Sequence, residues 1–262
     1  VIPAVLDWGK GIVTWKERRN IEYYKKKKAI IGRILFEREY QQNPIEEGLF
    51  YKEEDLHFHD LDELEKYIAR MDALIFYIDP SYGSKKQTAT RKGSDKKVML
   101  FAGKNHDGFY FFHAISRQTS LHAFGHAVVD AYLKWRVPKI FYEGNFAQDM
   151  LIKKFLDEAA RERNVHLPLK PFYNYDNKDD RIQGASLHAE NHKVHFFPES
   201  GDIQDIIDNL TGYPDTTFKD PADAFASACK ILNGEQTEIS PEVWIWKKTS
   251  TYTFLKKKTS PR

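Results

Sequence analysis

One cysteine, Cys229, stands in a chain of 262 residues. That excludes an internal disulfide framework and a cysteine-based zinc site. Its small and apolar neighbours predict a buried core thiol. No apolar run approaches the roughly 20 residues needed to span a bilayer. No signal-peptide pattern is visible, so no membrane role is expected and the cytosol is the default compartment. The patterns G-x-x-x-x-G-K-[ST] and G-x-G-x-x-G are missing, which leaves nucleotide binding without a motif. A G-x-S-x-G nucleophile elbow is missing too, as are internal repeats and low-complexity tracts. The first residue is Val rather than Met, which points to a fragment of something longer.

What is present supports a folded domain. Hydrophobic residues make up 41% and aromatic residues 14% of the chain, enough for a packed core. The length suits one substantial domain, or one domain with smaller appendages. A formal net charge of +2 identifies no partner. The distribution of charge says more: Lys25, Lys26, Lys27 and Lys28 run together near the start, and Lys247-Lys248 and Lys256-Lys257-Lys258 near the end. Basic runs around an acid-rich interior fit a nucleic-acid binder with an acidic active site. Either run alone reads first as a solvated face or tail.

A charged, aromatic stretch from about Lys16 to Gln42 has helical composition and ends before Asn43-Pro44, because a residue preceding proline disfavours the helical region. A short strand at 49–51 and a helical turn at 61–71 are expected next. Apolar runs then predict strands at 73–79, 97–102, 109–115, 140–143 and 167–172, with a shorter arm at 193–197. Asp107-Gly108 between two such runs signals an antiparallel hairpin. Helices are predicted from Ser120, a candidate N-cap, to Trp135, and over 147–163, 181–189, 203–210 and 221–232. The order suits a mixed α/β sheet with helices on both faces.

The candidate chemistry lies at strand ends. Ala73-Leu74-Ile75-Phe76-Tyr77-Ile78 leads into Asp79, and Lys139-Ile140-Phe141-Tyr142 leads into Glu143. Each acid closes a run that reads as a buried strand, where open α/β sheets gather their ligand sites. Alone, either acid is equally an ordinary strand-end group. Asp220 and Asp223 lie three apart at a helix start, on one face, with Pro221 suited to the first turn. Asp220 is also a candidate N-cap. Asp223 lies among Ala222, Ala224 and Ala226, which let a helix approach a sheet closely, and a charge there needs a partner. Together the four acids suit a hard divalent cation and metal-dependent phosphodiester hydrolysis. Lys178 and Arg181, spaced K-x-x-R, could hold a phosphate, unless Asp179 and Asp180 pair with them locally. His122 and His126, and His188 and His192, share helix faces where helical. Zinc would need further ligands, so surface or core histidines are the expectation.

Three segments then match a known pattern: Ile78-Asp79-Pro80-Ser81-Tyr82-Gly83, Phe141-Tyr142-Glu143-Gly144-Asn145 and Asp220-Pro221-Ala222-Asp223-Ala224. They resemble the C-terminal nuclease domain of tailed-phage terminase large subunits. Upstream, Phe36-Glu37-Arg38-Glu39-Tyr40-Gln41-Gln42-Asn43-Pro44 resembles the segment joining a terminase ATPase to its nuclease. With the Lys178–Arg181 element, the resemblance covers most of residues 30–233.

The resemblance implies an RNase H-like fold, a mixed sheet of five or more strands, and an endonuclease that cuts concatemeric double-stranded viral DNA during genome packaging. It implies two divalent cations, Mg²⁺ or Mn²⁺, held by Asp79, Glu143 and Asp223 with Asp220 as co-ligand or support. Lys178 would act beside them, with Arg181 and, from the charge run alone, Lys25 to Lys28 on the nucleic acid. It divides the chain into a linker segment (1–70), a nuclease domain (71–233) and a basic tail (234–262). The implied partners are DNA, an ATPase domain absent here, a portal and a small terminase subunit, in the host cytoplasm at the procapsid. Without the ATPase, translocation is not expected of this chain. Holliday-junction resolvases share the D…E…DxxD layout, so a resolvase-like nuclease is one alternative. A non-catalytic DNA- or portal-docking module is another.

Overall fold

The computed structural model describes residues 2–42, 50–81, 95–144, 149–234, 244–247 and 253–256. The first of these form a small unit: a hairpin of β1 (Val5–Asp7) and β2 (Ile12–Val13), then α1 (Ile21–Ile31), α2 (Arg33–Phe36) and one π turn over Glu37–Gln41. Ala4, Val5, Val13, Tyr24 and Phe36 give it a core of its own. Asn20 caps α1 by accepting from Tyr23 N–H, and Gly32 (φ 80°) ends it. The predicted helical stretch is therefore broken into three pieces.

The rest is built on one seven-stranded sheet in the order β3-β9-β6-β5-β4-β7-β8. The strands are β3 (His57–Phe58), β4 (Ala73–Asp79), β5 (Lys97–Lys104), β6 (Phe109–Arg117), β7 (Ile140–Glu143), β8 (Leu169–Phe172) and β9 (Val194–Phe196). The β4–β5 and β5–β6 pairs are antiparallel and the other pairs parallel. Asn105 fixes the β5–β6 turn by accepting from the N–H groups of Asp107 and Gly108. Gly108 lies so close to the Lys193 backbone that no side chain would fit.

Six further α-helices are described: α3 (Leu64–Ile68), α4 (Leu121–Trp135), α5 (Asp149–Glu162), α6 (Lys178–Glu190), α7 (Ile203–Thr211) and α8 (Asp220–Leu232). Strand side chains alternate between two cores. Ile75, Tyr77, Leu100 and Phe141 pack with α6, α7 and α8 on one face. Phe76, Ile78, Phe101 and Ile140 pack with α3, α4 and α5 on the other. Ser120 caps α4 as expected, accepting from Ala123 N–H.

Two expectations need correction. Among the described residues no strand includes Phe50 and Tyr51; both are buried in the sheet core, and Tyr51 donates to the Ile182 carbonyl at 2.5 Å. Their apolar character serves packing rather than a ladder, and the strand lies further on, at β3. Segment 50–68, counted with the linker, packs into both faces of the sheet. Helix α6 starts at Lys178, three residues early, because Asn177 caps it by accepting from Asp179 N–H. Of the basic tail, Trp244–Lys247 (β10) and Thr253–Lys256 (β11) form an antiparallel hairpin.

Candidate active site

The parallel register of β4 and β7 pairs Phe76 with Ile140, Tyr77 with Phe141 and Ile78 with Tyr142. One step further sets Asp79 beside Glu143. Side chains on a strand alternate, so both carboxylates fall on the face of Tyr77 and Phe141, the face that carries α8. Adjacent strands lie about 4.8 Å apart. The two acids are therefore neighbours, although the β5–β6 hairpin and helix α4 separate them in the chain.

Helix α8 lies across this end. Ala222, Ala224, Ala226 and Ala228 are buried, and their small side chains let the helix rest on β4 and β5. Pro221 sits in the first turn, while the N-cap position is Lys219 and makes no side-chain cap. Asp220 is thus a helical residue and not the cap. Asp220 and Asp223 are 8% and 4% exposed, deeper than solvent-facing charges lie.

Both helical acids have cationic partners from α6. Lys178 Nζ reaches Asp220 Oδ1 at 2.8 Å and Asp223 Oδ2 at 3.5 Å. Arg181 holds both Asp223 oxygens through Nη2, at 2.7 and 2.9 Å. Expected on nucleic acid, Arg181 is instead turned inward onto Asp223 with its side chain only 8% exposed. Lys178 is more open, and stays protonated: burial would lower its pKa, but Asp223, Asp220 and Asp79 together raise it.

The strand-end acids are differently placed. Among the described residues, Asp79 accepts from Ser81 N–H at 2.9 Å and Glu143 from Asn174 Nδ2 at 3.2 Å. Burial raises the Asp79 pKa, Glu143 raises it further, Lys178 opposes, and Asp223 and Asp220 add to the rise, which leaves it well above the ordinary value. Glu143 is raised by burial and by Asp223, with Asn174, Arg181 and Lys178 opposing. A buried and a half-buried carboxylate short of positive charge are thus held beside two that have it.

These residues suit hard cations. The donors at the strand ends are all oxygens, as Mg²⁺ or Mn²⁺ requires. One more oxygen supports this: Asn174 Oδ1 is buried and accepts no hydrogen bond from the described residues. Its amide nitrogen also donates to Ser227 Oγ at 3.0 Å, and Ser227 hydrogen-bonds Tyr77. A buried acceptor without a donor is costly, and a cation or its water would satisfy it.

Sequence reasoning passed over Asn174, Ser227 and two lysines. Lys96 N–H donates to Asp220 Oδ2 at 3.1 Å. Lys97 is 8% exposed, and its pKa falls through burial despite Asp95, Asp220 and Asp79 nearby. A usable signal existed for Asn174, which follows Phe172 by two residues and so continues the same face of β8. Tyr82, Gly83 and Asn145 lie outside the described residues. Lys25 and Lys28, with Trp8, Arg33 and Lys52, line a separate cleft of about 390 Å³ that also contains Asp55 and Glu190. Lys26 is exposed and Lys27 half-buried. The four lysines thus surround α1 rather than forming one stripe.

The central mixed sheet with helices on both faces has the expected RNase H-like architecture, and acids stand at the ends of two adjacent parallel strands and on a late helix. No protein-family model matches the sequence, and neither does any curated protein. The solved structures are informative. The large terminase of a thermophilic bacteriophage superposes with a TM-score of 0.54 at 9% identity, covering 81% of this chain and 51% of that one. A second crystal form of the same terminase gives 0.53 at 10% identity, over 81% and 52%. The human cytomegalovirus terminase nuclease domain, Mn-soaked and inhibitor-bound, aligns at 11% identity over 70% of this chain and 95% of its own, with a TM-score of 0.48. The chain is similar in fold to phage large terminase and spans about half the length of the bacteriophage protein.

Proposed function

We propose that this chain is the nuclease part of a viral genome-packaging terminase, a metal-dependent endonuclease that cuts concatemeric double-stranded DNA. The observation that carries the reading is the pair of strand-end acids Asp79 and Glu143, one step beyond the β4–β7 register and under the α8 acids, on a fold like that of a phage large terminase. Asp79, Glu143 and Asp223 would hold two divalent cations, Mg²⁺ or Mn²⁺, with Asp220 supporting. When bound, such ions supply Lewis acidity and charge neutralisation for in-line hydrolysis of a phosphodiester.

The protein's own groups do the rest. Asp79 and Glu143 present ionised oxygens once their protons leave. Asn174 fixes the orientation of Glu143, and Arg181 that of Asp223. Lys178 is the half-exposed cation of the cluster and can meet the scissile phosphate, its charge maintained by the acids around it. Lys25 to Lys28 offer the duplex backbone a positive surface. In the complete protein an ATPase domain, portal and small terminase subunit would be its partners, in the host cytoplasm at the procapsid.

A second reading has one observation in its favour. Lys178 and Arg181 satisfy Asp220 and Asp223 as a purely structural cluster would. A docking module of this kind binds DNA or portal without metal dependence. Plasmid nicking with Mn²⁺, Mg²⁺ or EDTA, beside Asp79→Asn, separates the two. Metal-dependent cutting lost in the variant supports the nuclease. Cutting retained in the variant would overturn the metal assignment.

A further inference from the structure

His122 and His126 stand one turn apart on α4, and the fold supplies the third partner that sequence alone did not. It is Glu162, in the last turn of α5. His122 Nε2 and His126 Nε2 are 3.2 Å apart, and His126 Nε2 lies 3.6 Å from Glu162 Oε2. One ligand atom from each residue falls within 4.8 Å of the other two.

These separations have a coordination meaning. A tetrahedral zinc ion binds imidazole nitrogen and carboxylate oxygen at about 2.0–2.1 Å, which puts neighbouring ligand atoms about 3.3–3.4 Å apart. The three atoms already come within a few tenths of an ångström of one face of that tetrahedron along the two measured edges. The geometry points to a second metal site, for a borderline transition ion such as Zn²⁺, on the face of the sheet opposite the carboxylate cluster. His122 and Glu162 are exposed, so water can fill the fourth position.

The frame that holds the trio is rigid. Gly125, between the two histidines, lets α4 approach α5 closely; a Cβ there would come within 3.1 Å of the Phe155 carbonyl oxygen. Phe124 and Val128 of α4 pack with Ile152, Leu156 and Ala159 of α5 in one core. Each side chain therefore leaves a fixed helix, and binding has little backbone to order. Nitrogen ligands also separate this site from the all-oxygen cluster, because imidazole selects zinc, cobalt or nickel over magnesium.

One neighbour competes with the ion. Arg163 Nη1 donates to His126 Nδ1 at 2.7 Å, while its Nε holds Asp130 at 2.7 Å. With Nδ1 accepting, the His126 proton resides on Nε2, where it bridges to His122. Metal binding moves that proton to Nδ1 within the same neutral ring, and the guanidinium withdraws toward Asp130 and the Ala159 carbonyl. Arg163 thus tunes the site downward. Its charge, roughly 6–7 Å from the ion, weakens binding by about tenfold in water-like surroundings.

The test uses the untagged full chain with excess Mg²⁺ to occupy the oxygen cluster, titrated with Co²⁺. The expected result is one equivalent of cobalt with the intense visible bands of tetrahedral coordination, bleached by Zn²⁺. The bands disappear in His122→Ala and His126→Ala, weaken in Glu162→Gln and persist in Asp79→Asn. Arg163→Gln tightens cobalt binding by about tenfold. Far-UV circular dichroism confirms that the variants fold, and plasmid cleavage by His122→Ala stays at the wild-type rate. Absence of tetrahedral bands in the wild type would overturn the site, as would bands that survive both histidine variants.

Discussion

Arg181 closes on Asp223 as a fork, with Nη2 at 2.7 Å from one oxygen and 2.9 Å from the other, and Nε at 3.0 Å from the first. With both side chains buried, the guanidinium fixes the rotation of that carboxylate as well as its charge. Lysine cannot reproduce a planar fork. Arg181→Lys is expected to fold and to cut about 10–100-fold more slowly, the usual effect of losing a group that orients a metal ligand. Arg181→Gln leaves the buried Asp223 charge facing Lys178 at 3.5 Å without its fork and should cost about 3–5 kcal/mol of stability. Single-turnover nicking and urea unfolding measure the two effects.

Asp79→Asn should separate stability from activity. The raised pKa values of Asp79 and Glu143 mean that the folded protein holds protons the unfolded chain has released. Metal-free stability is therefore full below the ordinary carboxylate value and lost as pH rises through the raised values. At neutral pH the amide relieves that strain, with a gain of about 1–3 kcal/mol, and abolishes cleavage. Divalent ions should raise the melting temperature of the wild type and not of the variant. In the wild type, cleavage should climb with pH above the ordinary carboxylate range. Added Mn²⁺ should move that curve to lower pH, since cation and proton compete.

Asn174 is a positioning residue in this scheme. Asn174→Ala removes the donor to Glu143 and frees Ser227, so metal affinity should fall about 10–100-fold. Because Asn174 opposes the upward shift of Glu143, the variant's cleavage profile should also move to higher pH. A merely structural role would lower stability and leave the pH profile where it was.

Charge removal on α1 tests the DNA path. Lys25 and Lys28 share one cleft, and replacing both with Gln should reduce the slope of log affinity against log salt by about 2, one for each phosphate no longer neutralised. An unchanged slope would assign these lysines to solvent.

Acid stability should report the histidines. His113, His188 and His195 each have a pKa drawn from 6.5 to about 4, in every case mainly by burial. Between those values the unfolded chain binds more protons than the folded one, so stability is lost as pH falls through that window. His195 stacks on Tyr110 with ring centroids 4.2 Å apart and meets His59 Nε2 at 3.0 Å. His195→Gln should flatten the fall in melting temperature between pH 6.5 and 4.

Sequence reasoning reached the elements whose signal is local. Asp79 and Glu143 each end an apolar run, so their place at a strand mouth followed from burial alone. The turn at Asp107-Gly108 and the start of α8 at Pro221 carried their own backbone chemistry. Long-range partners were illegible. Alternation sets Asn174 on the face of Phe172, yet nothing in its loop sets it against Ser227 of α8. Lys97 reads as an ordinary charge entering a strand. Arg181 looked like a phosphate ligand because Asp223, which claims its Nε and Nη2, lies far along the chain. Strand β3 is two residues long and is defined only by β9, beyond the reach of any periodicity.

The acids of the candidate site come from β4, β7 and α8, which lie far apart in the chain, and α8 is the last helix of the described core. A growing chain that has laid β7 against β4 carries two of the four carboxylates and none of the clamp that α6 applies to α8. On the proposed nuclease reading, hydrolytic competence would be withheld until α8 docks. Synthesis order would then give the molecule a built-in delay, and partly made copies would not cut.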